Sequence, residues 1–166
     1  MMNTTEAVIR PFEKGDRDMV NEFFDQMGPE TTFFFNTNDC NRNFALKFWT
    51  EKDTDHNKNT RYFAATEKQE DGSELMVGYV FLTRLHTKMP GLGIAVRDGY
   101  KGKHMGRRLM QKAREVAEEH HCGGITLMTH FANIRGQALY QKMGYEKLGQ
   151  HSCGSEFIYI LRLPNE

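Results

Sequence analysis

Residues 98–115 read DGYKGKHMGRRLMQKARE. Gly102 and Gly106 sit among Lys101, Lys103, Arg107 and Arg108, and the letters then settle into a helical period. Met105, Leu109, Met110, Ala113, Val116 and Ala117 fall on one stripe, with Arg107, Arg108, Lys112, Arg114, Glu118 and Glu119 mostly outside it. An apolar run, Leu92 to Val96, precedes the turn. The stretch therefore predicts strand, small-residue turn and a helix starting at about Gly102 to Gly106. The first N–H groups of such a helix have no internal partner, and its dipole favours negative charge there. Phosphate is the obvious anion. The glycines let the backbone approach it closely, and the four basic side chains supply compensating charge. A P-loop fails here on both its spacing and its Lys-Ser/Thr ending, and the dinucleotide GxGxxG pattern is absent. A solvated basic helix face is the competing explanation of the stretch taken alone.

Downstream, Gly123-Gly124 ends the helix and Ile125 to Thr129 reads as a buried strand. Ile134 to Met143 follows as a short helix closed by Gly144, and Glu156 to Leu163 is a last strand. A further short strand fits Tyr145 to Leu148. Upstream, Ala7 to Arg10 reads as a strand ended by Pro11. Asp16 then suits the N-cap of a helix carrying Met19, Val20, Phe23, Phe24 and Met27, which Gly28-Pro29 stops. Thr31 to Asn43, with Phe33, Phe34 and Phe35 among Thr and Asn, keeps neither period and is expected to be a loop or broken helix. A second short helix carries Phe44, Leu46, Phe48 and Trp49, before the polar loop EKDTDHNKNT. Arg61 to Thr66 and Leu75 to Arg84 form a hairpin about Asp71-Gly72. The expected order is βααβββαβαβ, in one domain spanning residues 1–166.

Twenty-two basic residues balance twenty-two acidic ones, so no overall field attracts nucleic acid or anionic lipid, and any anion site must be local. With 39% hydrophobic and 27% charged residues and no apolar run near membrane-spanning length, no membrane association is expected. The opening MMNTTEAVIRPFEKGD lacks the parts of a secretory signal, and a cytoplasmic protein is the default. Cys40, Cys122 and Cys153 are far apart and form no CxxC pair, which favours reduced, mostly structural thiols. His120-His121-Cys122 diverges at a helix end and lacks a fourth ligand, so no metal is expected.

Residues Leu92 to Tyr145 resemble the core of the GCN5-related N-acetyltransferase (GNAT) superfamily. Its phosphate loop, Gln/Arg-x-x-Gly-x-Gly/Ala between strand and helix, is matched by Lys101-Gly102-Lys103-His104-Met105-Gly106, with Lys101 in the first place and His104 for the middle glycine. NIRGQALYQKMGY, Asn133 to Tyr145, is similar to the family's second signature, and VIRPFEKGDRDMV to its opening strand and helix. The resemblance implies an α/β fold: a central, largely antiparallel, splayed mixed sheet flanked by helices.

It also implies an N-acetyltransferase acting from acetyl-coenzyme A, with no metal, on a primary amine of a small molecule or peptide. Backbone groups at Ile94, Ala95 and Val96 would pair with pantetheine, and Lys101 to Arg107 would cradle the diphosphate. Asn133 would contact pantetheine or cap its helix. Tyr140 would donate a proton to the departing thiolate. An amine must lose its proton to attack, yet the family's frequent Glu before the phosphate loop corresponds here to Gly91. His130, His86 and Asp98 are the candidate relays. Phe33, Phe34 and Phe35 are candidates for an apolar acceptor pocket. Homodimerisation is compatible with the resemblance. Two other classes compete: an acyl-coenzyme A binding or sensing module with weak or no catalysis, suggested by Gly91 and His104, and a nucleic-acid module using KGKHMGRR. The charge balance and the lack of stacking aromatics count against the second.

Overall fold

The computed structural model describes residues 6–164. Seven strands build one sheet: β1 (Val8–Pro11), β2 (Arg61–Lys68), β3 (Glu74–Thr83), β4 (Gly91–Val96), β5 (Gly124–His130), β6 (Glu146–Gln150) and β7 (Glu156–Arg162). They lie in the order β1-β2-β3-β4-β5-β7-β6. Every neighbouring pair is antiparallel except β4 and β5, which run parallel because a helix connects them. That helix is α5 (Met105–Glu119). The others are α1 (Arg17–Asp25), α2 (Pro29–Phe35), α3 (Cys40–Thr50), the single turn α4 (Asp55–Lys58) and α6 (Ile134–Lys142).

Both faces of the sheet are covered, so β2 and β3 are buried almost without interruption from Tyr62 to Thr66 and from Met76 to Leu82. On one face α5 buries Met105, Leu109, Met110, Ala113, Val116 and Ala117, the stripe expected from its periodicity, against Val77, Val80, Leu82 and Ile125. On the other, α1 and α3 press Val20, Phe23, Phe24 and Ala45 onto Phe12, Tyr62, Tyr79 and Phe81. A fully buried leucine such as Leu109 contributes about 1.5–3 kcal/mol.

Several local expectations are corrected. Thr31 to Asn43, read as a loop or broken helix, is a broken helix, made of α2, a 3-10 turn at Thr37–Asp39 and the first turn of α3, which begins at Cys40 and not near Phe44. Pro29 at the first turn of α2 and left-handed Asn38 and Asp39 set those breaks. The helix after the glycine-basic turn begins at Met105. Pro11 does not end β1 but occupies its last position, which an edge strand tolerates because the missing N–H has no ladder partner. Asp16 stands before α1 but does not cap it. Its carboxylate takes a bidentate pair from the Arg10 guanidinium at 2.7 and 2.9 Å and accepts from the Glu13 N–H at 2.7 Å. Of the three thiols, only Cys122 is buried, while Cys40 and Cys153 are exposed. The short strand near Tyr145 to Leu148 is present as β6. Among the described residues, no helix is long and apolar enough to cross a membrane.

Candidate active site

The two parallel strands meet at a single point. β4 and β5 pair only where Gly91 faces Thr126, and beyond it they part. Arg97 N–H donates to Val77 O, so alternation along the ladder turns the backbone of Ala95, Gly93 and Gly91 toward β3. The N–H and C=O groups of Ile94 and Val96 therefore face the gap, an open edge inside the molecule. Ala95 lines the cleft, but its backbone is taken up by Tyr79 across the β3 ladder. The cleft encloses about 1200 Å³ and runs from the glycine-basic turn to α2 and the start of β7.

At one end lies the glycine-basic turn. Among the described residues, no backbone N–H from Lys101 to Arg107 makes a well-aligned backbone hydrogen bond; the first helical bond here is Arg108 N–H to His104 O, 3.1 Å. Unpaired donors of this kind need an anion or water. A Cβ added at Gly102 would meet nothing within 4 Å, so the approach to these amides is open. The side chains divide. Arg107 and His104 line the cleft, and the exposed Lys103 holds its ammonium 5.4 Å above the Tyr100 ring. Lys101 also lines the cleft, but its ammonium is turned to α2, 2.5 Å from Thr31 Oγ1 and 3.5 Å from Asp98. Met105 is buried in the core. Arg108 donates to Ala7 O at 2.6 Å, away from the turn. The residues present thus fit a diphosphate.

His104 stands in the left-handed region, φ +63°, where the family pattern has glycine. That conformation costs an ordinary residue about 1–2 kcal/mol, part of which glycine's looser unfolded chain offsets. His104→Gly is therefore expected to stabilise the protein by about 1 kcal/mol, raising its melting temperature by roughly 2–4 °C. A lowered melting curve would show that the imidazole makes a contact worth more than the strain.

Tyr140, on α6, is buried and lines the cleft. Burial pushes its hydroxyl up to about 12, against a hydrogen bond with Thr129 that lowers it, and the nearby Tyr159 adds to the rise. It is protonated at neutral pH. Asn133 caps α6 by accepting from Gly136 N–H at 3.1 Å and donates to Thr129 Oγ1 at 3.0 Å, so one side chain ties the helix start to β5. Two buried partners that sequence reasoning missed complete this brace. Thr129 is one. Gln137 is the other, donating to Phe131 O at 2.9 Å and accepting from Tyr159 at 3.2 Å. Their signal is one polar residue among several in β5 and α6, which is too common to single out.

No carboxylate takes the place of Gly91; a Cβ there would lie 3.1 Å from the Arg84 guanidinium. Asp98 is occupied structurally. It accepts from Gly28 N–H at 2.7 Å and Thr31 Oγ1 at 2.9 Å, pinning the start of α2 to the glycine-basic turn. Burial works against its charge, but the bonds from Thr31 and Gly28 and the Lys101 ammonium hold its carboxyl below the usual range. His86 is exposed and outside the cleft. His130 does line it, with Nδ1 accepting from Ala132 N–H at 3.0 Å. The neutral ring therefore carries its proton on Nε2 and offers a donor there, not a lone pair. Among the described residues, no cluster of His, Cys, Asp and Glu is placed to hold a metal ion.

The far end is aromatic. Phe33, Phe34 and Phe35 of α2, with Phe81 and Met128, face it, and His130 packs edge-on against Phe33 with ring centres 5.0 Å apart. The turn, Tyr140 and the three phenylalanines, far apart in sequence, share one cleft.

Comparison with known proteins agrees with this fold. A crystal structure of an acetyltransferase from Streptococcus agalactiae is similar, with a TM-score of 0.75 at 16% identity over 96% of this chain and 99% of that one. The ribosomal-protein-S5-alanine acetyltransferase of Vibrio fischeri gives 0.73 at 13%, over 97% and 95%. The PaiA N-acetyltransferase of Thermoplasma acidophilum, in complex with coenzyme A, gives 0.69 at 16%, over 96% and 100%. No curated protein sequence matches the chain. The model of the acetyltransferase (GNAT) family matches residues 20–145. With that match spanning both the glycine-basic turn and Tyr140, the chain belongs to the GNAT acetyltransferase family, whose chemistry is acyl transfer from acetyl-coenzyme A.

Proposed function

We propose that the protein transfers an acetyl group from acetyl-coenzyme A to the nitrogen of a primary amine, by direct attack while both substrates are bound. The observation that carries this reading is the parting of β4 and β5 beside a run of unpartnered amides, with the buried Tyr140 lining the same cleft. Bound acetyl-coenzyme A supplies an acetyl group activated as a thioester. The amides from Lys101 to Arg107 hold its diphosphate, with Lys103 and Arg107 adding charge. The backbone of Ile94 and Val96 pairs with pantetheine as one strand pairs with another, and an N–H at this edge polarises the thioester carbonyl. Tyr140 faces the sulfur as donor. Asn133 fixes the start of α6 and hence the place of Tyr140 along the cleft.

Titration calorimetry with acetyl-coenzyme A tests the cradle. Reversing both exposed charges, Lys103→Glu with Arg107→Glu, is expected to weaken binding by at least about 100-fold, since each charge-assisted contact contributes about 1.5–3 kcal/mol. An unchanged affinity in the folded variant would move the diphosphate elsewhere.

Gly91 supports a second reading. With no carboxylate there, the same cleft serves an acyl-coenzyme A binding or sensing module. Tight cofactor binding with no transfer to any amine would select it.

A further inference from the structure

The acceptor end of the cleft has a composition that the chemistry of acetyl transfer does not require. α2 contributes Phe33, Phe34 and Phe35; β3 contributes Phe81; β5 contributes Met128. Phe33 and Met128 are 56% and 50% exposed, although both are large and apolar. Water contact at such side chains is unfavourable unless something covers them. At Gly93 a Cβ would lie 2.2 Å from the Phe81 ring, so the strand gives up a side chain there and the ring forms the floor. The charges on the cleft wall point the same way. Glu30 and Glu156 are its carboxylates, against Lys101, Arg107, Arg135 and Lys142. A wall with this balance does not attract a polycation.

Resting on the acetyltransferase reading, we propose that the acceptor is a monoamine carried on an apolar, ring-sized body, and that Phe33, Phe34, Phe81 and Met128 select it. The ring lies on the Phe81 floor beside Phe33 and Met128, and the amine points to the gap between β4 and β5. The amine enters neutral, because its apolar surroundings disfavour the ammonium form. Its nitrogen lone pair forms the C–N bond as the C–S bond breaks. One amine hydrogen stays on the amide; the other is released as a proton while the sulfur takes one from Tyr140, which regains its own from solvent. The protons balance with no carboxylate base, in keeping with Gly91.

The test is an acceptor panel at saturating acetyl-coenzyme A, reading free thiol and acetylated product by mass spectrometry. Phenethylamine is expected to exceed ethanolamine and spermidine by at least tenfold in kcat/KM. Phe33→Ala and Met128→Ala, both at half-exposed positions, are each expected to raise KM for phenethylamine about tenfold while kcat and acetyl-coenzyme A affinity change less than twofold. Preference for ethanolamine or spermidine, or an unmoved KM in both variants, overturns the acceptor class and leaves N-acetylation standing. Cofactor binding with no amine acetylated overturns both.

Discussion

Replacing Tyr140 by Phe is expected to lower kcat by about 10²–10³-fold while leaving the dissociation constant for acetyl-coenzyme A within a factor of two. Removing one donor from a site where negative charge develops costs about 2.7–4 kcal/mol, and Tyr140 is buried and lines the cleft. Because burial holds that hydroxyl at about 12, the tyrosine stays protonated from pH 6 to 9 and its own titration does not limit the rate in that range. A phenol this weak hands over its proton only to a strongly basic partner. In the proposed reaction the same burial would raise the basicity of a thiolate formed beside it, which narrows the gap between donor and acceptor as the C–S bond breaks. Single-turnover kinetics with calorimetry separates the two constants. An unchanged kcat in a folded Tyr140→Phe protein would remove Tyr140 from the proton path, and a parallel loss of cofactor affinity would make it a packing residue.

Asp16→Asn is expected to lower stability by about 3 kcal/mol, or roughly 6–12 °C in melting temperature, with activity at 20 °C intact. The Asp16 side chain is 9% exposed and that of Arg10 17%, and their bidentate pair joins β1 to the turn before α1. Breaking a buried pair strands a charge, although Pro11 O and Glu74 still accept from Arg10 and keep the loss at the low end. Burial alone would push the Asp16 carboxyl up, but the Arg10 hydrogen bonds, the Glu13 N–H and the Arg10 charge hold it below its ordinary value. The sign follows. The contribution is complete above the unfolded carboxyl value of about 3.9 and disappears as pH falls through the lower folded value. Melting curves of the native protein and the variant should thus converge in strong acid. A gap that persists there would mean the loss is one of packing.

The strands and the long helix were legible because their signals are local: the stripe of α5, the Asp71-Gly72 hairpin and the apolar runs of β5 and β7 depend on neighbours a few residues apart. Residues 29–50 were harder. Phe33, Phe34 and Phe35 are consecutive, so they show no helical stripe, and α2 is held from outside itself by Asp98, seventy residues downstream. Asp98 carries a role that no local pattern could reveal, because its partners Gly28 and Thr31 lie some seventy residues upstream. Asp16, read as a helix cap, pairs instead with the Arg10 guanidinium six residues before it.

The sequence by itself determined the glycine-basic turn before a helix, the position of Tyr140 on a helix two elements later and the missing carboxylate at Gly91, because these follow from residue type and order along the chain. Only the tertiary structure decided which edge of β4 stays open, that Lys101 faces α2, and that the phenylalanines of α2 share a cleft with Met128 and His130. Those outcomes depend on a single paired position between two parallel strands, Gly91 with Thr126. Where strands stop pairing is set by the packing of helices on both faces, which no short stretch of sequence encodes.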